Sequence, residues 1–145
     1  MHSLISRALS RPDRGFTLVE ILVVLVILGL LAGLVGPMVL NRLGGAKTDT
    51  AQVQIEDLER AAELFKLDVG RFPSNEEGLE ALVRQPSGVR GWNGPYLRRS
   101  ELPSDPWGND YHYANPGQRN QVDIWSYGAD GKPGGEGENA DIGNW

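Results

Sequence analysis

Two groups of residues in this sequence could do chemistry. The first is a lone carboxylate: Glu20 is the only charged residue in the 25 positions from 16 to 40. An unpaired acidic side chain costs roughly 2.5–3.5 kcal/mol at the centre of a membrane-spanning helix and less toward its end. Glu20 therefore either snorkels to an aqueous boundary or needs a cation beside it. The second group is Asp130, Glu136, Glu138, Asn139 and Asp141, spread through a glycine-rich stretch. Calcium takes six to eight hard oxygens of this kind, including backbone carbonyls that glycines allow to turn inward. The same residues also read as a solvated acidic segment with an Asp130-Gly131 turn, and spacing alone does not decide between the two.

Catalytic chemistry is poorly served. Of the two histidines, His2 lies ahead of the apolar run and His112 stands alone, so no Ser, His and acid arrangement can be assembled. No phosphate-cradling Gly-x-x-x-x-Gly-Lys-Ser/Thr motif is present either. The reading is that the chain is not an enzyme. Trp92, Trp107, Trp125 and Trp145 could form a carbohydrate or peptide platform, but aromatic rings in a small domain more often fill its core.

The elements that must position these groups follow from composition. A chain of 145 residues has room for one modest domain. Most aliphatic residues fall between positions 16 and 43, so the polar, Gly- and Pro-rich remainder can build only a thin core. There is no cysteine, which closes the disulfide route to stapling it. A net charge of −5 and a pI near 5.0 argue against nucleic acid as a partner. Residues 1–15 hold three Arg and one Asp, so cleavage after Gly15 would leave the remainder more acidic still.

Arg7, Arg11 and Arg14 precede the apolar run, and no Ala-x-Ala-like site follows it, unlike an ordinary secretory signal. The run of 16–40 is long enough to cross about 30 Å of hydrocarbon. The positive-inside tendency places its start in the cytoplasm and everything after Leu43 across the membrane. Gly29, Gly33 and Gly36-Pro37 predict close helix approach and a local break near Pro37. After Gly44-Gly45, Ile55, Leu58, Ala62, Phe65 and Val69 recur every three or four residues, so residues 46–69 form a helix with one buried stripe. Gly70 ends it, and Phe72-Pro73 keeps it from resuming.

Ser74-Asn75-Glu76-Glu77 is a capping box opening a short helix through Leu79, Leu82 and Val83, closed by Pro86. Tyr96-Leu97-Arg98 is assigned to a short strand or turn. Residues 111–114 and 121–126 alternate apolar with polar, and Asn115-Pro116-Gly117 supplies the turn of an antiparallel hairpin. Its apolar face should pack across Ile55, Leu58 and Phe65. The fold class is α+β, a long N-terminal helix packed against a short helix and a small antiparallel sheet.

Arg14-Gly15-Phe16-Thr17-Leu18-Val19-Glu20 resembles, type by type, the processing site of type IV pilins and type II secretion pseudopilins. That resemblance implies cleavage between Gly15 and Phe16 by a membrane-embedded prepilin peptidase, which also N-methylates the new amine of Phe16. It implies an assembly role too: the Phe16 ammonium would pair with Glu20 of a neighbouring subunit. The organisation is then a leader (1–15), a transmembrane and assembly helix (16–43) and a periplasmic domain (44–145). Three further stretches resemble the major pseudopilin family of type II secretion, also called the general secretion pathway protein G family. They are Arg71-Phe72-Pro73 with Glu77-Gly78-Leu79-Glu80-Ala81-Leu82, then Asp105-Pro106-Trp107-Gly108, then Asp141-Ile142-Gly143-Asn144-Trp145.

In that family a calcium ion takes the place of the disulfide of type IVa pilins. By position the resemblance implies Asp130 and Asp141 as ligands, Asn139 next, and the carbonyl of Tyr127 as a backbone donor. Some relatives have two adjacent Asp where this chain has Ala140-Asp141, so Asn139 or Glu138 would replace one carboxylate. The implied function is the major subunit of a periplasmic pseudopilus that grows from the bacterial inner membrane and helps extrude folded proteins through an outer-membrane channel. Implied partners are further copies of the chain, minor pseudopilins, membrane lipid, the peptidase, and an inner-membrane platform with a cytoplasmic ATPase. The competing readings are a type IV or competence pilin and a monomeric membrane-anchored binding module.

Overall fold

The computed structural model describes residues 15–145; the leader, with Arg7, Arg11 and Arg14, lies outside the described residues but for Gly15. One long helix, α1 (Leu18–Val69), is followed by a three-stranded antiparallel sheet of β1 (His112–Ala114), β2 (Asp123–Ser126) and β3 (Ile142–Gly143), in the order β1-β2-β3. The chain forms two compact units, one ending at Val39 and the other Leu40–Trp145.

Among the described residues of the first unit every large apolar residue is at least half exposed, from Phe16 at 86% to Ile27 and Val35 at 50%. The expected break at Pro37 is not there: Pro37 lies inside α1, which also continues through Gly44-Gly45. A proline removes one N–H bond and crowds the carbonyl four residues back, here that of Gly33. Spanning helices tolerate both by local adjustment.

In the second unit the predicted stripe is buried. Ile55, Leu58, Ala62 and Phe65 are at most 1% exposed and Ala51 and Ala61 extend the row, while Val69 is partly buried. They pack with Leu79, Leu82, Val89, Ile124 and Ile142, and Tyr96 meets Phe65 edge to face with ring centroids 5.8 Å apart. Gly70 adopts φ 87° and its N–H bonds the Lys66 carbonyl at 2.8 Å, a left-handed stop that only glycine makes cheaply.

The capping box forms reciprocally, Ser74 N–H donating to Glu77 Oε2 (2.7 Å) and Glu77 N–H to Ser74 Oγ (3.2 Å). The box opens onto a 3₁₀ turn, Leu79–Leu82, not an α-helix, because Gly78 at φ 55° turns the chain away. Arg71 grips the same carboxylate with two nitrogens at 2.7 Å, so Glu77 Oε2 serves both a guanidinium and a backbone amide. Residues 96–98 pair in no strand; the Tyr96 N–H bonds the Leu82 carbonyl.

The hairpin register is His112↔Trp125, Tyr113↔Ile124 and Ala114↔Asp123. Its connection is longer than a tight turn and is organised from within. The buried Asp123 carboxylate accepts N–H bonds from Gln118, Arg119 and Asn120. Burial pushes this carboxyl up, but the three amide bonds outweigh it and hold it below the usual range.

The third strand lies at Ile142–Gly143, where the sequence predicts none, and not at residues 96–98. β3 pairs with β2 through Trp125↔Gly143 and Ser126↔Ile142. Two residues carry no readable alternation, and Asn144 supplies the missing reach. Its side chain accepts from Ile124 N–H and donates to Val122 O and to Glu59 Oε1 on α1. Gly143 lies against the Trp145 ring, where an added Cβ would come within 2.5 Å of ring carbon.

Candidate functional site

The first locus is the start of α1. Thr17 N–H and Oγ1–H donate to Glu20 Oε2 at 2.8 and 3.1 Å, and Glu20 N–H donates to Thr17 Oγ1 at 3.2 Å. This is a second capping box, Thr17-x-x-Glu20, which the sequence reading missed although the spacing is in plain view. It gives the carboxylate partners within its own chain. An acidic group in the first turn also suits the positive end of the helix dipole. Gly15 and Phe16 directly precede this box in an open chain, with nothing within 4 Å of a Cβ added at Gly15 and Phe16 86% exposed. Glu20 lies four residues after Phe16.

The second locus is the glycine-rich segment from Tyr127 to Asp141. Asp105 anchors its start. That buried carboxylate accepts from Asn109 N–H (2.7 Å), Trp107 N–H (3.1 Å) and Ser126 Oγ–H (2.6 Å), and Ser126 Oγ accepts in turn from Gly128 N–H. Asn109 Nδ2 donates to the Gly128 carbonyl. Gly128, Gly131, Gly134, Gly135 and Gly137 all take positive φ, which lets so short a segment fold on itself.

The residues named as metal ligands are near one another in sequence but engaged separately. The Asp130 carboxylate accepts from Lys132 N–H at 3.1 Å, and that of Asp141 from Gly134 N–H at 2.9 and 3.0 Å. The Glu138 carboxylate instead lies against Gly44 of α1, and Trp107 Nε1–H donates to it at 3.4 Å. Asn139 and Glu136 are exposed, and Tyr127 is half-buried beside His112. Among the described residues no three Asp, Glu or His converge as a metal cluster. The donor chemistry nevertheless fits a hard cation: oxygens only, the exposed carboxylates of Asp130, Glu138 and Asp141, and a backbone cradle in which a Cβ at Gly135 would crowd the Asn139 carbonyl, lying 2.9 Å from its carbon.

The tryptophans do not make a platform. Trp92 Nε1–H bonds the Ala81 carbonyl and its ring meets Tyr96. Trp107 packs on the core, Trp125 stacks on His112 at 5.4 Å, and the Trp145 face is covered by the Arg119 guanidinium at 4.3 Å.

A helix that opens as an exposed apolar surface with one carboxylate at its start, together with a small antiparallel sheet domain, defines a pilin-like subunit. Residues 38–145 match the family model for type II secretion system protein G, and residues 10–36 match that for the prokaryotic N-terminal methylation motif. The type II secretion system core protein G of Pseudomonas aeruginosa is 49% identical over 139 residues, covering 93% of this chain and 96% of that one. Its counterpart in Vibrio cholerae is 47% identical over 138 residues, with 93% of each chain covered. The crystal structure of the major pseudopilin from the type 2 secretion system of enterohaemorrhagic Escherichia coli superposes with a TM-score of 0.62 at 40% identity, covering 72% of this chain and 87% of that one. The chain belongs to the type II secretion system protein G family, the major pseudopilins, a family of structural subunits and not of enzymes.

Proposed function

We propose that the chain is the major subunit of a type II secretion pseudopilus, held in the inner membrane by residues 16–43 until it polymerises through that helix. The observation that carries this reading is an apolar surface with no partner among the described residues, opening on a carboxylate at Glu20. Before assembly, lipid covers the surface and Thr17 satisfies Glu20. A prepilin peptidase cuts between Gly15 and Phe16 and methylates the new amine, and Glu20 of one subunit pairs with Phe16 of the next. In low dielectric a paired charge is favoured over a lone one, so the pairing fixes the axial offset between stacked helices. Minor pseudopilins, an inner-membrane platform and a cytoplasmic ATPase supply initiation and energy, and growth drives folded proteins across the outer membrane.

Mass spectrometry of the N-terminus of the purified protein tests this. N-methylated Phe16 is expected; a chain still beginning at Met1 in assembled filaments would overturn it. Deletion should abolish protein secretion and leave DNA uptake intact, which separates this function from that of a competence pilin.

We further propose that the segment 127–141 holds calcium through Asp130, Asp141, Asn139 and the Tyr127 carbonyl. Glu138, whose carboxylate is engaged on α1, is left out of the set. When bound, the ion would supply the cross-link that a disulfide gives elsewhere. The chain's own contribution is the Asp105–Ser126–Gly128 relay, which ties the start of the segment to β2.

A further inference from the structure

Between Arg42 and Thr50, Gly44 is the one buried residue, and the first core residue of α1 is Ala51. A Cβ placed on Gly44 would overlap the Glu138 carboxylate, lying 2.6 Å from its Cδ and 2.7 Å from its Cγ, whereas one on Gly45 would meet nothing. Glu138 is exposed on its outer side and is bonded twice, by a long bond from Trp107 Nε1–H to its carboxylate at 3.4 Å and by Ala129 N–H to its carbonyl at 2.8 Å. The helix here is intrinsically weak. Two adjacent glycines sit in its interior, and Thr48 and Thr50 bond back to the carbonyls of Gly44 and Ala46. We infer that Glu138 is a strut: it docks the Gly137–Asn139 turn onto α1 at Gly44 and keeps the helix wound through the glycine pair, where no core residue does so. Gly44 is glycine because the strut needs the space that a side chain would fill. Order in the glycine-rich segment and order in the helix just beyond the apolar run are thereby one property.

Amide hydrogen exchange on the full-length protein in detergent micelles tests the strut. Run with a chelator present, it does not depend on the calcium reading. Glu138→Ala should speed exchange of amides 44–50 by about ten-fold or more while leaving 55–65 at the wild-type rate. Glu138→Gln keeps the length of the side chain and should stay within about two-fold of wild type. Gly44→Ala should speed exchange in residues 134–141 by displacing Glu138, and should add nothing in a Glu138→Ala background. Unchanged exchange at 44–50 in Glu138→Ala, equal acceleration at 55–65, or an equal effect of Gly44→Ala in both backgrounds would each overturn the proposal.

Discussion

From Phe16 to Val39 no large apolar side chain is less than half exposed, whereas from Ala51 to Phe65 the same helix hides Ala51, Ile55, Leu58, Ala61, Ala62 and Phe65 almost completely. One helix thus serves two kinds of solvent. Its first stretch has no core of its own, and its burial waits for lipid or for other copies. Its second stretch has a core, but a small one, surrounded by loops that polar contacts hold in place. The first region should therefore be sensitive to changes that alter association and indifferent to those that alter folding. The second should behave in the opposite way.

The sharpest way to break this contrast is Glu20→Ala. It removes the only charge of the apolar run and leaves the core alone. Losing one partner of a desolvated ion pair typically costs about 3–5 kcal/mol, so filament yield should fall by at least ten-fold. Processing of Phe16 and the melting temperature should both stay at wild-type values. Sheared-filament yield, mass spectrometry and thermal melting check the three arms, and normal yield from a processed Glu20→Ala chain would remove Glu20 from assembly.

Phe65→Ala is the mirror experiment. Phe65 is fully buried at the centre of the second unit, and such truncations cost about 3–5 kcal/mol. A urea titration of the full chain in detergent should show that loss, and any filament defect should follow only from lower subunit abundance. Chelation comes next in size. A calcium site saturated at about 100 times its Kd stabilises by about 2.7 kcal/mol, so a chelator should lower the melting temperature and calcium should restore it. Asp141→Ala should abolish the calcium response, whereas Glu136→Ala, at an exposed carboxylate outside the proposed ligand set, should retain it.

The legible parts of the sequence were those where one residue type has one physical use. The spacing of Ile55, Leu58, Ala62 and Phe65 could only be a buried helical stripe, and Gly70 could only be its stop. Glu20 was visible because a carboxylate in an apolar run is costly. The sequence hid what depends on partners distant along the chain. Ile142-Gly143 is too short to show a period, and its place comes from Asn144 reaching Ile124, Val122 and Glu59. Gly44 reads as a helix interruption, and only the fold brings Glu138 beside it. Pro37 predicts a break through its missing N–H and its clash with the Gly33 carbonyl, and the helix of the apolar run absorbs both. The box Thr17-x-x-Glu20 shows in the spacing, but a carboxylate in an apolar run points first to a cation, whereas a backbone amide three residues away meets the same need.

The smallest effect concerns Glu77, and its sign is fixed by which state holds the proton more weakly. The Arg71 guanidinium, outweighing burial and helped by the Ser74 amide, holds the Glu77 carboxyl at about 2, well below its ordinary 4.5. The folded state therefore binds this proton less readily than the unfolded one. The stabilisation is fully present above about pH 4.5 and is lost as pH falls toward 2. Arg71 is half exposed, so water screens the pair, and the loss should be about 1 kcal/mol, well under what the shift alone would give. Urea midpoints at pH 5 and pH 2.5 measure it, with Arg71→Met as the comparison chain. Wild type should lose more stability than Arg71→Met over that interval. Equal losses would mean that the clasp after α1 is held by its glycines and the Ser74 cap alone, with the ion pair contributing nothing to the second unit.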